Sequence, residues 1–211
     1  MEILFISDYV CPYCLVAKEA LDRALKKMGV QAHITYQPYE LTPEPRERVD
    51  TYHDQRRRAG YQVLVEPCRQ LGLDMKLPPK VIPRPYTRLA FEGWYYACGQ
   101  GKGDAYNDLV YRAYFIREQD IGEISVLAEL AEQAGLDKAD FVKALEEGRY
   151  TEKERQAVRY AREVLKPKGV PTIYVDGKEI ALNDYTEAEM LQALNDAAFS
   201  PSGHFCTPEG C

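Results

Sequence analysis

The sequence predicts an α/β fold in which a mixed four-stranded sheet carries a large all-helical insertion. Three observations predict it. Strand-length apolar runs occur only near the two ends of the chain, at residues 2–7, 31–39 and 172–182. Between about 43 and 166 the spacing of apolar residues is almost wholly helical. The last apolar stretch is divided by Asp176-Gly177, a pair that favours a two-residue hairpin turn of type I′. The resulting order, βαβ then helices then ββα, joins a parallel strand pair to an antiparallel hairpin. We therefore expect a sheet-bearing domain from residues 1–42 and 166–198, a helical insertion over 43–165, and a cysteine-containing tail over 199–211.

Each element has a local reason. EILFIS, residues 2–7, is a short apolar run of strand length. After Cys11 the period changes: Ala17, Ala20, Leu21, Ala24, Leu25 and Met28 share one helical face, with charged residues on the other. Gly29 suits the C-cap. QAHITYQPY, residues 31–39, alternates as a second strand before Pro43 and Pro45. PEPRERVDTYHDQRRRAG reads as a polar helix, and Pro67 is expected to kink or interrupt YQVLVEPCRQLGL. LPPKVIPRP, with four prolines, is an extended connection. Further helices are expected over 86–99, 104–117 and 123–134, the last closed by Gly135. Asp137 caps another through Glu147, and Thr151 with Glu154 forms a capping box for one reaching Leu165. Thr186 with Glu189 caps the final helix, whose Met190, Leu191, Leu194 and Ala198 face inward.

The bulk numbers exclude several classes. A net charge of −6 over 211 residues gives no basic footprint for nucleic acid. The Arg56-Arg57-Arg58 cluster reads as a solvated helix face. No apolar run approaches the roughly 20 residues that span a bilayer. The opening MEILFISDYV lacks a basic n-region and a small-residue cleavage site, so a cytoplasmic location is expected. Six cysteines are too few for a disulfide-stapled scaffold, and in a reducing cytosol a close pair is catalytic or metal-binding.

That close pair is Cys11-Pro12-Tyr13-Cys14, where the first strand gives way to the first helix. The unpaired N–H groups and positive dipole end of a helix favour a thiolate at Cys11. Pro12 suits the first helical position, where its missing N–H costs no bond. Cys14, one turn further in, is expected to be more buried and to face Cys11. Cys11 is then the attacking and leaving sulfur, and Cys14 resolves a mixed disulfide. Asp8, three residues before Cys11, is a candidate proton acceptor for Cys14 or a helix cap. Tyr13 occupies the tuning position between the cysteines, and Lys18 is a candidate modulator or an exposed helix residue. The rival reading is a zinc site shared by Cys11, Cys14, Cys206 and Cys211. Such half-sites favour turns, whereas this pair opens an amphipathic helix. No metal is expected.

A second signal is KGVPTIYV, residues 168–175, in which Pro171 opens a strand without needing a ladder donor. With SDYVCPYC, AKEALDRAL, AYFIREQDIGEISVLAELAEQAGLD and GVPTIYVDG, the chain resembles the DsbA-like thioredoxin superfamily, specifically its FrnE-like oxidoreductases. The resemblance runs from residue 2 to about 198. It implies a thioredoxin-like fold, thiol–disulfide exchange with protein or peptide substrates, and a helical lobe shaping the substrate groove. It also implies a cis Val170–Pro171 bond that turns the Val170 backbone toward the dithiol. Recycling by glutathione or thioredoxin is expected, and no cofactor beyond the redox-active disulfide. One departure is LKPKGVP, where many relatives carry a Gly-rich entry to the proline. The related 2-hydroxychromene-2-carboxylate isomerases are the alternative; they usually have serine at the Cys11 position and lack the second cysteine.

Other features have plainer readings. CGQGKGD, residues 98–104, has the wrong glycine spacing for a nucleotide loop and reads as a helix connection. Trp94, Tyr95, Tyr96, Tyr111, Tyr114 and Phe115 form core, or else a groove facing the dithiol. Cys68 and Cys98 read as buried inert thiols. His33 and His53 have no catalytic partner. In the tail, Cys206 and Cys211 form a candidate second redox pair, or join His204 around a metal, or are incidental.

Overall fold

A computed structural model describes residues 1–198. Four strands form one sheet in the order β2-β1-β3-β4: β1 Glu2–Ser7, β2 His33–Pro38, β3 Thr172–Val175 and β4 Lys178–Ile180. β1 pairs parallel with β2, from Glu2 opposite His33 to Ser7 opposite Pro38. It pairs antiparallel with β3, Ile3 opposite Val175, and β3 continues antiparallel into β4. This is the mixed four-stranded sheet that the order of elements predicts. Asp176 and Gly177 both take positive φ, 47° and 83°, as a type I′ turn requires.

The first helix, α1 Pro12–Met28, ends at Gly29 in the left-handed conformation, φ 65°. Between β2 and β3 lie α2 Gln55–Gln62, α3 Val65–Gln70, α4 Arg88–Gly99, α5 Gly103–Phe115, α6 Ile124–Gln133, α7 Lys138–Glu146 and α8 Thr151–Tyr160. A π-helical turn, Ala161–Leu165, closes α8, and α9 Glu187–Ala198 follows the hairpin.

β1 is buried on both faces, which is why its sequence is a continuous apolar run rather than an alternation. Ile3 and Phe5 join the main core with α1 and α9. Leu4 and Ile6 pack with Ala161 and Leu165 of the π-helical turn. Buried side chains of the sheet and of α4 to α7 form one contiguous cluster. Tyr9 ties the two together: its ring lies 4.6 Å from Phe91 on α4 and 4.9 Å from Tyr111 on α5, centroid to centroid. Aromatic pairs at such separations add about 0.5–1.5 kcal/mol beyond the area they bury. The inserted helices therefore grip the chain two residues before Cys11.

Several expectations need correction. Residues 43–54 are turns rather than helix. Proline disfavours the helical region for the residue before it, and the Asp50 carboxylate takes the Tyr52 and His53 amides at 3.0 and 2.9 Å. Pro67 interrupts nothing; the break precedes it, and it sits in the first turn of α3, where no donor is required. Thr151 is not the cap of α8, because its hydroxyl donates to the buried Glu92 carboxylate at 2.9 Å. The Thr186 cap forms as expected, accepting from the Glu189 amide, while the Glu189 carboxylate accepts from the Asp184 and Tyr185 amides.

Candidate active site

β1 ends at Ser7, and residues 8–10 turn the chain into α1 while remaining wholly buried. Cys11 is the N-cap of α1, with φ −89° and ψ 115°, and Pro12 follows in the first helical position. The Cys11 amide donates to the Asp8 carbonyl at 3.1 Å, and the Cys14 amide donates to the Cys11 carbonyl at 3.1 Å. No side chain caps α1, so the amides of its first turn have no side-chain acceptor from the N-cap.

The partner of this turn comes from the other end of the chain. The Val170–Pro171 peptide bond is cis, and the Cys11 thiol donates to the Val170 carbonyl at 3.3 Å. The ring of Tyr13 lies tilted against Tyr185, 5.4 Å between centroids, and its hydroxyl donates to the Gly60 carbonyl at 3.2 Å. A cleft of about 260 Å³ runs past Val170, Pro171, Ile180, Leu182 and Tyr185, with Lys168 and Glu179 on its lining.

Electrostatics separates the two cysteines. Cys14 is fully buried, and burial pushes its thiol well above the ordinary range, the neighbouring Cys11 sulfur adding to the effect. Asp8 is also fully buried; burial holds its carboxyl above the usual value against the Leu41 amide and the Arg84 guanidinium. One Asp8 oxygen accepts from Leu41 at 2.7 Å and the other has no hydrogen-bond partner. Asp8 therefore does not cap α1 with its side chain; only its carbonyl meets Cys11.

Other sequence candidates fall elsewhere. Lys18 is buried, not exposed, and its ammonium pairs with Asp22 at 2.7 Å and with Asp108 of α5 at 3.5 Å. Trp94, Tyr95, Tyr96, Tyr111, Tyr114 and Phe115 are all buried core rather than groove. Cys68 is buried, with burial raising its thiol to about 11, whereas Cys98 is exposed at the end of α4. Cys206, Cys211 and His204 lie outside the described residues. Among the described residues, no group of three or more His, Cys, Asp or Glu is placed to hold a metal ion, and no helix is long and apolar enough to cross a membrane.

Tyr61, Arg84 and Tyr185 are not among the residues that sequence patterns single out. Tyr61 is buried beside Cys11, Arg84 is buried beside Asp8 and donates to Thr42 at 2.6 Å, and Tyr185 reaches Tyr13. Each comes from a loop or helix distant in sequence, and no local motif marks it.

The profile of the DsbA-like thioredoxin domain matches residues 2–195. The chain belongs to this family. YwbO, an uncharacterized protein of Bacillus subtilis strain 168, is 39% identical over 176 residues, which is 83% of this chain and 86% of YwbO. Among solved structures, a probable DsbA oxidoreductase from Streptomyces coelicolor aligns with a TM-score of 0.74 at 24% identity, covering 100% of this chain and 98% of its own. A 2-hydroxychromene-2-carboxylate isomerase aligns at 0.67 and 21% identity, covering 85% and 87%. The cytosolic disulfide reductase DsbM of Pseudomonas aeruginosa, solved with GSH, aligns at 0.66 and 16%, covering 94% and 96%. At these identities the structural likenesses show the DsbA-like fold.

Proposed function

We propose that this DsbA-like protein catalyses thiol–disulfide exchange through Cys11 and Cys14, with protein or peptide thiols and disulfides as substrates. The observation that carries the reading is the juxtaposition at the tip of α1: the Cys11 sulfur faces the Val170 carbonyl, and the buried Cys14 thiol lies one turn behind it.

In the reductive direction, the Cys11 thiolate attacks one sulfur of a substrate disulfide, and the other sulfur leaves as a thiolate that takes a proton from water. Cys14, kept protonated by burial, then gives its proton to a base and attacks the Cys11 sulfur. The Cys11–substrate bond breaks and the second substrate thiol departs. Two electrons have passed to the substrate, leaving a Cys11–Cys14 disulfide. The same steps reversed oxidise a substrate dithiol. Asp8 is the base in this reading, supported by its burial, its unpartnered oxygen and its electrostatic contact with Cys14. Pro12 presets the helix start, and Val170 and Pro171 offer backbone to an extended substrate. Tyr13 lines the approach.

The dithiol is itself the redox couple, and no other cofactor enters. A cytoplasmic setting, with glutathione or thioredoxin restoring the dithiol, fits a neighbour described as cytosolic and solved with GSH. An isomerase of the 2-hydroxychromene-2-carboxylate type shares the fold, but retention of both cysteines favours exchange.

Insulin reduction driven by dithiothreitol tests the proposal. The wild type should accelerate it and Cys11→Ser should abolish the acceleration. Full activity in that variant would overturn the assignment.

A further inference from the structure

Cys11 is only 4% exposed, although a nucleophile must meet its target sulfur in line with the bond being broken. Three tyrosines, Tyr13, Tyr61 and Tyr185, lie within electrostatic range of it. Tyr13 lies over the tip of α1, its ring against Tyr185 and its hydroxyl on the Gly60 carbonyl. Tyr61, 6% exposed, stands beside the sulfur; burial, and to a smaller degree Cys11, push its hydroxyl up to about 12 against the opposing Arg84.

The element supplying Gly60 and Tyr61 is weakly anchored. Residues 53–60 are all exposed, and in α2 only Tyr61 is buried. A side chain added at Gly60 would meet nothing within 4 Å. The Asp54 cap, the Asp54–Arg57 ion pair and the Arg58–Tyr52 contact all lie within the segment and tie it to nothing outside. At its two ends the chain is fixed by buried Thr51 and Leu64, 1% and 0% exposed. The Asp50 carboxylate also holds Tyr52 and His53 at the near end. Beyond them the exposed stretch rests on the Tyr61 side chain and the Tyr13–Gly60 hydrogen bond, and such a segment opens at low free-energy cost.

We propose that residues 52–63 form a lid over Cys11, latched by the Tyr13 hydroxyl on the Gly60 carbonyl. The closed site admits narrow thiols and disulfides; bulky protein disulfides reach Cys11 only when the lid opens. Tyr13 is thus a residue that sets substrate size. The inference rests on the thiol–disulfide reading above, and it adds a selection step that precedes the first sulfur attack.

The test labels the full-length reduced protein with N-ethylmaleimide and with the same maleimide on a long polyethylene glycol chain, scoring adducts at Cys11 by mass spectrometry. The wild type should react much faster with the small reagent than with the large one, beyond the difference seen in urea-unfolded protein. Tyr13→Phe keeps the ring and removes the latch, so it should narrow that ratio roughly two- to tenfold, the range for one hydrogen bond. Amide exchange over 55–62 should quicken in the same variant. Equal relative rates in the folded wild type, or a Tyr13→Phe variant unchanged in both ratio and amide exchange, would overturn the lid. Labelling reads access to Cys11 and not turnover, so the result stands whether or not the insulin assay succeeds.

Discussion

The Cys11 sulfur lies 3.3 Å from the Val170 carbonyl oxygen across a sequence separation of 159 residues. That contact joins the start of the βαβ unit to the start of the ββα unit. In the proposed exchange reaction it sets the attacking thiol against backbone that would pair with an extended substrate. The contact exists because β3 lies antiparallel beside β1, with Ile6 opposite Thr172, so the segment entering β3 meets the segment leaving β1.

Cys14 is buried, which raises its thiol well above the ordinary range, so in the proposed cycle it takes no part in the first attack. Cys14→Ser should therefore form the mixed disulfide with substrate at Cys11 but fail to resolve it. Mass spectrometry of the acid-quenched reaction should show a stable adduct of protein plus one substrate thiol. Absence of that adduct, with multiple turnover retained, would contradict the division of labour.

Asp8→Asn keeps the oxygen that accepts from Leu41 and removes the base. If Asp8 takes the Cys14 proton, formation of the mixed disulfide should be little altered while its resolution slows, by about 10²-fold for a lost general base. Stopped-flow measurement of the two phases separates them. Equal slowing of both phases would point to a structural effect.

Glu40 and Glu154 are buried near one another, with Arg88 facing both, Arg162 facing Glu40 and Arg155 facing Glu154. Burial, then neighbouring carboxylates, raise Glu40 to about 7 and Glu154 to about 8. The unfolded chain ionises both near the ordinary 4.5, so between there and 7–8 the folded state binds more protons. Stability should therefore fall as pH rises through that window. Urea midpoints at pH 5 and pH 8 should differ less in Glu154→Gln than in the wild type. A parallel loss in both proteins would remove Glu154 as the cause.

Gly93 in α4 lies against the core, where an added methyl would meet the Tyr106 hydroxyl oxygen at 2.3 Å and the Phe141 ring at 2.7 Å. Gly93→Ala gains helix propensity but overpacks a fully buried contact, and we expect a net loss of about 1–3 kcal/mol. Denaturant titration checks it. A stabilised variant would mean that Tyr106 and Phe141 yield freely.

Much of this molecule was legible in one dimension. The period of apolar residues marks α1 and β1, Asp176-Gly177 marks the hairpin, and Asp137 and Thr186 mark helix starts, because each signal acts within a few residues. The cysteine pair at the head of α1 is likewise a local pattern. Residues 43–54 misled because a charged composition suits a helix, yet two prolines and the Asp50 carboxylate hold them in turns.

By itself, the sequence determined the order of the strands, the position of the dithiol at a helix tip and most of the inward side of α1 and α9. Ala198, expected to face inward, is exposed, and Ala197 is buried instead. Only the tertiary structure decided what surrounds the sulfurs: the Val170 carbonyl, the Tyr13–Tyr185 contact, the Tyr13–Gly60 hydrogen bond and the depth at which Asp8 and Lys18 lie. The division has a physical cause. Helix caps, turns and hydrophobic period are set by neighbours along the chain, whereas burial, and the shifts in proton affinity that follow from it, depend on which distant segments close over a site.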